Sequence, residues 1–138
     1  MTGNGGESLD SLELDLQTRL ADYFIDQVSG YVDRVTISQF TTEGAKRNVA
    51  GLSGFIQLYR EQSDTRQRLL AAEDLCDRIV ELVMTEQLDS RSAPADALLE
   101  YREPFPDQQN RCSSCNKRPK ARYLGSKQTC VRCYFEEE

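Results

Sequence analysis

Four thiols near the end of the chain fall into two Cys-x-x-Cys pairs, Cys112 with Cys115 and Cys130 with Cys133. Fourteen residues separate the pairs, and the chain contains no histidine. A Cys-x-x-Cys turn can bring both its sulfurs onto one ion, at about 2.3 Å for zinc, and two such turns complete a tetrahedral shell. The expected cofactor is therefore one Zn2+ per chain, held by Cys112, Cys115, Cys130 and Cys133. Two disulfides, an iron–sulfur cluster or a redox-active pair are competing uses of the same thiols. The pair spacing and a reducing compartment favour zinc over all three.

Basic side chains crowd the same stretch. Arg111, Lys117, Arg118, Lys120, Arg122, Lys127 and Arg132 lie within residues 111–135, which contain no Asp or Glu. Residues 1–110 carry ten Lys/Arg against twenty Asp/Glu, and Glu136, Glu137 and Glu138 close the chain. The formal net charge of −6 thus conceals a basic segment on an acidic body. Four zinc-bound thiolates leave −2 at the metal, which the seven basic groups more than offset. Such a surface attracts phosphate backbones, and Tyr123 or Tyr134 is available to stack on an unpaired base. The same residues also suit an acidic protein surface, including this chain's own helical part, or serve only to keep a small module soluble.

Catalysis is not expected. Four cysteines close the coordination shell, whereas a hydrolytic zinc site keeps a position open. There is no histidine to act as a base, no glycine-rich phosphate loop followed by Lys and no nucleophile elbow. Gly51 and Gly54 do not make a dinucleotide fingerprint, because they sit inside a helical pattern.

The elements that position these groups follow from hydrophobic spacing. Residues 1–9 are Gly-, Ser- and Asn-rich and are expected to form a flexible tail. Leu12, Leu16, Leu20, Phe24, Val28 and Tyr31 recur at helical intervals, with Asp10 as N-cap, Glu13 in the capping-box position and Gly30 as the end or a bend. Residues 31–40 are β-branched; with no partner strand available, helix and loop are favoured over a strand. A second helix runs from Thr41 or Thr42 to about Gln62 on Ala45, Val49, Leu52, Ile56 and Tyr59. Gly51 and Gly54 within it suggest a close helix crossing, with a bend as the alternative. A third, capped by Asp64, runs to about Gln87 on a broad apolar face of Leu69, Ala72, Leu75, Cys76, Ile79 and Val83 with their neighbours Val80 and Leu82. Cys76, on that apolar stripe, is expected to be an inert core residue.

A brief helix capped by Ser92 covers Ala95–Tyr101, and Pro104 and Pro106 then exclude helix. The fold class is therefore mainly α: an acidic three-helix bundle-like domain over 10–103, a linker over 104–110, and a small basic four-cysteine zinc module over 111–138 with an acidic end. Homodimerisation through the helical domain is one way to complete its core. Within the module, residues 121–129 suggest a hairpin turning at Gly125-Ser126, and residues 131–138 a short helix. That order is a treble clef; a second hairpin in place of the helix would make a zinc ribbon.

Cys112-Ser113-Ser114-Cys115-Asn116-Lys117, Arg122-Tyr123-Leu124 and Cys130-Val131-Arg132-Cys133 resemble the four-cysteine fingers of the DksA/TraR regulators of bacterial RNA polymerase, and more distantly the N-terminal finger of the ClpX unfoldase. The resemblance covers about the last 25 residues and implies a zinc-bound finger on a nucleic-acid-associated machine. The loop between the pairs is shorter here than in those families. Asp74, Asp77 and Arg78 match the Asp-x-x-Asp-Arg of the DksA coiled-coil tip. They fall within a helix whose other face is apolar, however, and are expected to form a solvated helix face.

The function expected is a non-enzymatic zinc-binding regulator or adaptor. Its helical domain binds a protein or itself, and its basic finger contacts RNA, DNA or a nucleic-acid-bound machine such as RNA polymerase. The alternative is a structural or self-assembling protein, including a virion-associated one, whose finger makes only protein contacts. No run approaches the roughly 18 apolar residues of a membrane span, and residues 1–7 lack a secretory pattern, so the expected location is intracellular, cytoplasmic or nuclear.

Overall fold

The computed structural model describes residues 4–37, 42–102, 111–115, 117–124 and 128–136, and these form five helices. They are α1 (Asn4–Ile37), α2 (Glu43–Glu61), α3 (Thr65–Met84), α4 (Ala93–Tyr101) and α5 (Val131–Glu136). The expected linker at 104–110 and the expected turn at Gly125-Ser126 lie outside the described residues. Among the described residues no helix is long and apolar enough to cross a membrane.

Helix α1 departs from expectation at both ends. It starts at Asn4, so Asp10 and Glu13 lie inside the helix and not at its cap. It also passes through Gly30 without ending. Once a helix has nucleated, extending it costs little per residue, and one glycine does not stop it. Its buried stripe differs too: Gln17, Ala21, Phe24, Ile25, Val28 and Val32 face the core, whereas Leu12 is 55% exposed. A row of residues four apart advances about 40° beyond a full turn at each step, so the row that packs at the core edge at Leu20 has wound round to solvent by Leu12.

Helices α2 and α3 bury the expected stripes. Val49, Leu52, Ile56 and Tyr59 of α2 meet Leu69, Ala72, Leu75, Cys76, Ile79 and Leu82 of α3 in one core with α1. The side chain of Ala45 lies outside those described. Gly51 and Gly54 are exposed, and a Cβ added to either meets nothing within 4 Å, so the expected close helix crossing is absent. Asp64 and Ser92 take the N-cap positions of α3 and α4 without a capping side-chain bond.

Helix α3 ends where Glu86 adopts a left-handed φ of 61°. Glu86 N–H donates to Val83 O at 3.1 Å and Gln87 N–H to Leu82 O at 2.8 Å, closing the last turn. Helix α4 then folds back on α1, where Tyr101 stacks on Phe24 with ring centroids 4.9 Å apart.

The C-terminal segment packs on the bundle. Leu124, Val131, Tyr134 and Phe135 are buried in the same apolar cluster as α1–α3. Helix α5 lies against α3. Arg66 of α3 sits over the Phe135 ring, 5.8 Å from its centroid. The basic module therefore rests on the helical domain through apolar side chains as well as charge.

Candidate metal centre and basic surface

Two short pieces of backbone build the thiol cluster. The first turn is closed by an antiparallel bridge between Arg111 and Pro119, with Cys112 N–H donating to Arg118 O at 2.7 Å. The second pair straddles the start of α5: Cys130 precedes it and Cys133 lies in its first turn, where Tyr134 N–H donates to Cys130 O at 2.9 Å. Ser113 N–H to Gln128 O at 2.9 Å and Ala121 N–H to Thr129 O at 3.0 Å tie the two pieces together. The second bond is the kind of rung a hairpin over 121–129 would have, but no strand forms among the described residues. The expected short helix is present and begins between Cys130 and Cys133.

All four cysteines are free thiols, and their sulfurs lie within 4.8 Å of one another, with Cys115 Sγ and Cys130 Sγ 4.0 Å apart. Bonds of about 2.3 Å in a tetrahedron place sulfurs about 3.8 Å apart, so a small contraction would seat one ion. Disulfide geometry, with sulfurs about 2.05 Å apart, is not what the cluster shows.

The surrounding backbone already favours negative charge on the first pair. Burial acts to raise the Cys112 thiol, yet N–H groups of Cys115, Cys130 and Ser114 donate to its sulfur and hold it down at about 6. Burial likewise works against Cys115, and the N–H groups of Lys117 and Arg118 outweigh it, lowering that thiol. Burial dominates at Cys130, which is raised, and at Cys133, which is raised to about 11. Four clustered sulfurs cannot all ionise unaided; a bound dication removes that restriction and leaves four thiolates. The cluster is positioned to hold a metal ion.

The seven basic residues separate into two groups. Arg132, between Cys130 and Cys133, turns to the bundle and pairs with Asp74 and with Asp77, the latter at 3.4 Å. Arg122 donates to the backbone oxygens of Leu99 at 2.7 Å and Tyr101 at 3.1 Å, the last turn of α4. Arg111, Lys117, Arg118 and Lys120 stand around the first turn with no carboxylate in ion-pair reach among the described residues; Lys120 Nζ meets Gln128 Oε1 at 3.4 Å. Lys127 lies outside the described residues. Tyr123 is 40% exposed, and its backbone N–H donates to Oε1 of the buried Gln17 at 2.9 Å, which ties the chain at this residue to α1.

Asp74 and Asp77 therefore do more than decorate a solvated face, because both receive Arg132. Asp77 also accepts from Arg102 at 2.9 Å, and Arg102 reaches Glu73 at 2.5 Å. Glu73 and Arg102 are 2% and 4% exposed, a buried ion pair with no counterpart among the sequence-based expectations. Glu73 gave a signal: it falls between Leu69 and Cys76 in an apolar register, where a charge requires a partner. Burial pushes the Glu73 carboxyl above the usual carboxylate range, and Arg102 is the leading influence in the opposite direction. The expectation for Cys76 fits its setting: it is fully buried, and burial pushes its thiol well up.

Fold and site together define a helical bundle bearing a C-terminal four-cysteine cluster suited to a metal ion. No protein-family model, curated protein or solved structure matches the chain. The likeness to the DksA/TraR fingers thus rests on the cysteine pattern and its neighbours alone.

Proposed function

We propose that the protein is a non-enzymatic, zinc-stapled adaptor that holds its acidic bundle and a nucleic-acid strand together. Zinc suits a shell of four thiolates with no histidine, and a closed shell suits a structural role. Zinc would neutralise much of the cluster's charge and hold the two Cys-x-x-Cys turns in register; Cys112, Cys115, Cys130 and Cys133 would be its ligands. The observation that carries the nucleic-acid reading is the division of the basic residues. Arg122 and Arg132 are used internally, whereas Arg111, Lys117, Arg118 and Lys120 stay together around the first turn with no carboxylate in ion-pair reach among the described residues. Tyr123, in the same segment, is 40% exposed with its backbone anchored to Gln17, and would supply a stacking surface for an unpaired base.

The test is fluorescence anisotropy with short mixed-sequence RNA and single-stranded DNA across a salt series. Four phosphate contacts on a single strand give a log–log salt slope of about −3. Reversing charge at Lys117, Arg118 and Lys120 together should abolish binding while metal content stays unchanged. Absence of binding at low salt would remove the nucleic-acid reading. The docking of Arg132 and Arg122 on the bundle favours a second reading, in which the finger makes protein contacts in a self-assembling or virion-associated structure. Mass measured across a concentration series tests it: a higher-order assembly lost on chelation supports it.

A further inference from the structure

Arg132 sits between Cys130 and Cys133 in sequence, yet its guanidinium lies on the acidic turn of α3. We infer that the Arg132–Asp74 pair makes metal loading and the docking of α5 on the bundle one linked equilibrium, with Arg132 as a positioning residue for the metal site. This inference rests on the reading of the cysteine cluster as a metal centre.

The reasoning is geometric. Helix α5 has six residues, too short to hold its shape alone, and two of its neighbouring or internal side chains are ligands. Its orientation must come from the ion on one side and from α3 on the other. On the α3 side Val131, Tyr134 and Phe135 supply apolar contact, with Arg66 over the Phe135 ring, and Arg132 adds the directional ion pairs to Asp74 and Asp77 that favour one orientation. That orientation brings Cys130 and Cys133 to face Cys112 and Cys115. Asp77 is shared with Arg102, which closes α4 where the chain leaves for the cysteine module. The same α3 turn thus holds both the exit from the bundle and the helix that completes the cluster. When the ion leaves, α5 loses one of its two constraints, and the acidic turn of α3 with its apolar neighbours opens to solvent. Metal loading thereby decides whether that surface is covered.

Linkage makes the coupling reciprocal: whatever factor docking adds to metal affinity, metal adds to docking. Asp74 has Arg132 as its only ion-pair partner among the described residues, so Asp74→Asn removes the pair and leaves Glu73, Asp77 and Arg102 in place. The test uses the full chain, with zinc affinity measured by competition against a chromophoric chelator and amide exchange of α3 followed with and without zinc. Asp74→Asn and Arg132→Ala should each weaken zinc binding about tenfold, within the range that residues supporting metal ligands show. The double variant should lose no more than either single one, Arg132→Lys should recover part of the loss, and zinc-dependent protection of residues 69–79 should fall in both single variants. Arg47→Ala on the exposed face of α2 controls for net charge and should leave affinity unchanged. A wild-type chain that binds no zinc overturns the metal reading and the coupling together. Wild-type binding with both single variants within twofold overturns the coupling alone.

Discussion

Replacing Arg102 with Met strips the buried Glu73 carboxylate of the guanidinium 2.5 Å away and leaves an apolar chain of similar length. The more distant Arg132 and Arg118 remain, but burial then dominates and pushes the carboxyl further up. Removing one partner of a buried pair costs about 3–5 kcal/mol. The molecule can limit that loss by protonating Glu73. Against an ordinary glutamate value of about 4.3, this costs about 1.4 kcal/mol per pH unit, or about 3.7 kcal/mol at pH 7. The expected loss at pH 7 is therefore about 3–4 kcal/mol.

The pH dependence has a definite sign. In the variant the folded state keeps a proton on Glu73 that the unfolded chain releases above about pH 4.3, so stability falls as pH rises from there towards the raised folded value. At pH 5 the loss should be smaller than at pH 7, by at most about 3 kcal/mol, because Glu73 is already raised in the wild type and part of the pH dependence is common to both proteins. Urea unfolding of zinc-supplied protein, followed by far-ultraviolet circular dichroism, measures wild type and variant at both pH values. Adding Glu73→Met to Arg102→Met should recover most of the loss, because an apolar pair needs no charge partner. A loss independent of pH, or a double variant no better than the single one, would show that the stranded Glu73 carboxyl is not the source of the cost.

Other outcomes follow from the same packing. Cys130→Ser should abolish stoichiometric metal binding and keep most of the helical signal. It should also lower the thermal midpoint, on the order of 5–10 °C, because Leu124, Val131, Tyr134 and Phe135 lose their fixed seat on the bundle; an unchanged midpoint contradicts the docking. Phe24→Ala, which removes the ring stacked on Tyr101, should cost about 3–5 kcal/mol in urea unfolding. Gly54→Ala should raise stability by about 1 kcal/mol, since the site is helical, exposed and open. Cys76 should resist a thiol reagent in native protein after chelation, while the four clustered cysteines react; early labelling of Cys76 contradicts its burial.

The helices were legible because their apolar spacing is local information: Val49 to Tyr59 and Leu69 to Ile79 each define a face without reference to the rest of the chain. The cysteine cluster was legible for the same reason, since each Cys-x-x-Cys turn is complete within four residues. The start of α1 was not, because Asn4 to Leu9 carry no apolar stripe and join the helix by propagation alone. Position along a row also misled: Leu12 continues the Leu16-Leu20 row but winds round to solvent, and Gln17 takes a core position. Its amide is needed there for Tyr123 N–H, a partner 106 residues away that no local pattern indicates. Charge counting could not show that Arg122 and Arg132 serve the bundle, that Arg118 acts on the buried Glu73 from a distance, or that Arg111, Lys117 and Lys120 make no ion pair among the described residues. Equal charges in one segment become distinct only when Asp74, Asp77 and the end of α4 are placed against them.

Everything proposed for the basic module depends on its four thiols holding one metal ion that staples it. Native mass spectrometry of the purified full chain, before and after chelation, decides this. One zinc per chain is expected, lost on chelation, with Cys112, Cys115, Cys130 and Cys133 alkylated only afterwards. A metal-free chain whose four thiols alkylate at once, or a mass lower by the four hydrogens of two disulfides, would overturn the metal centre.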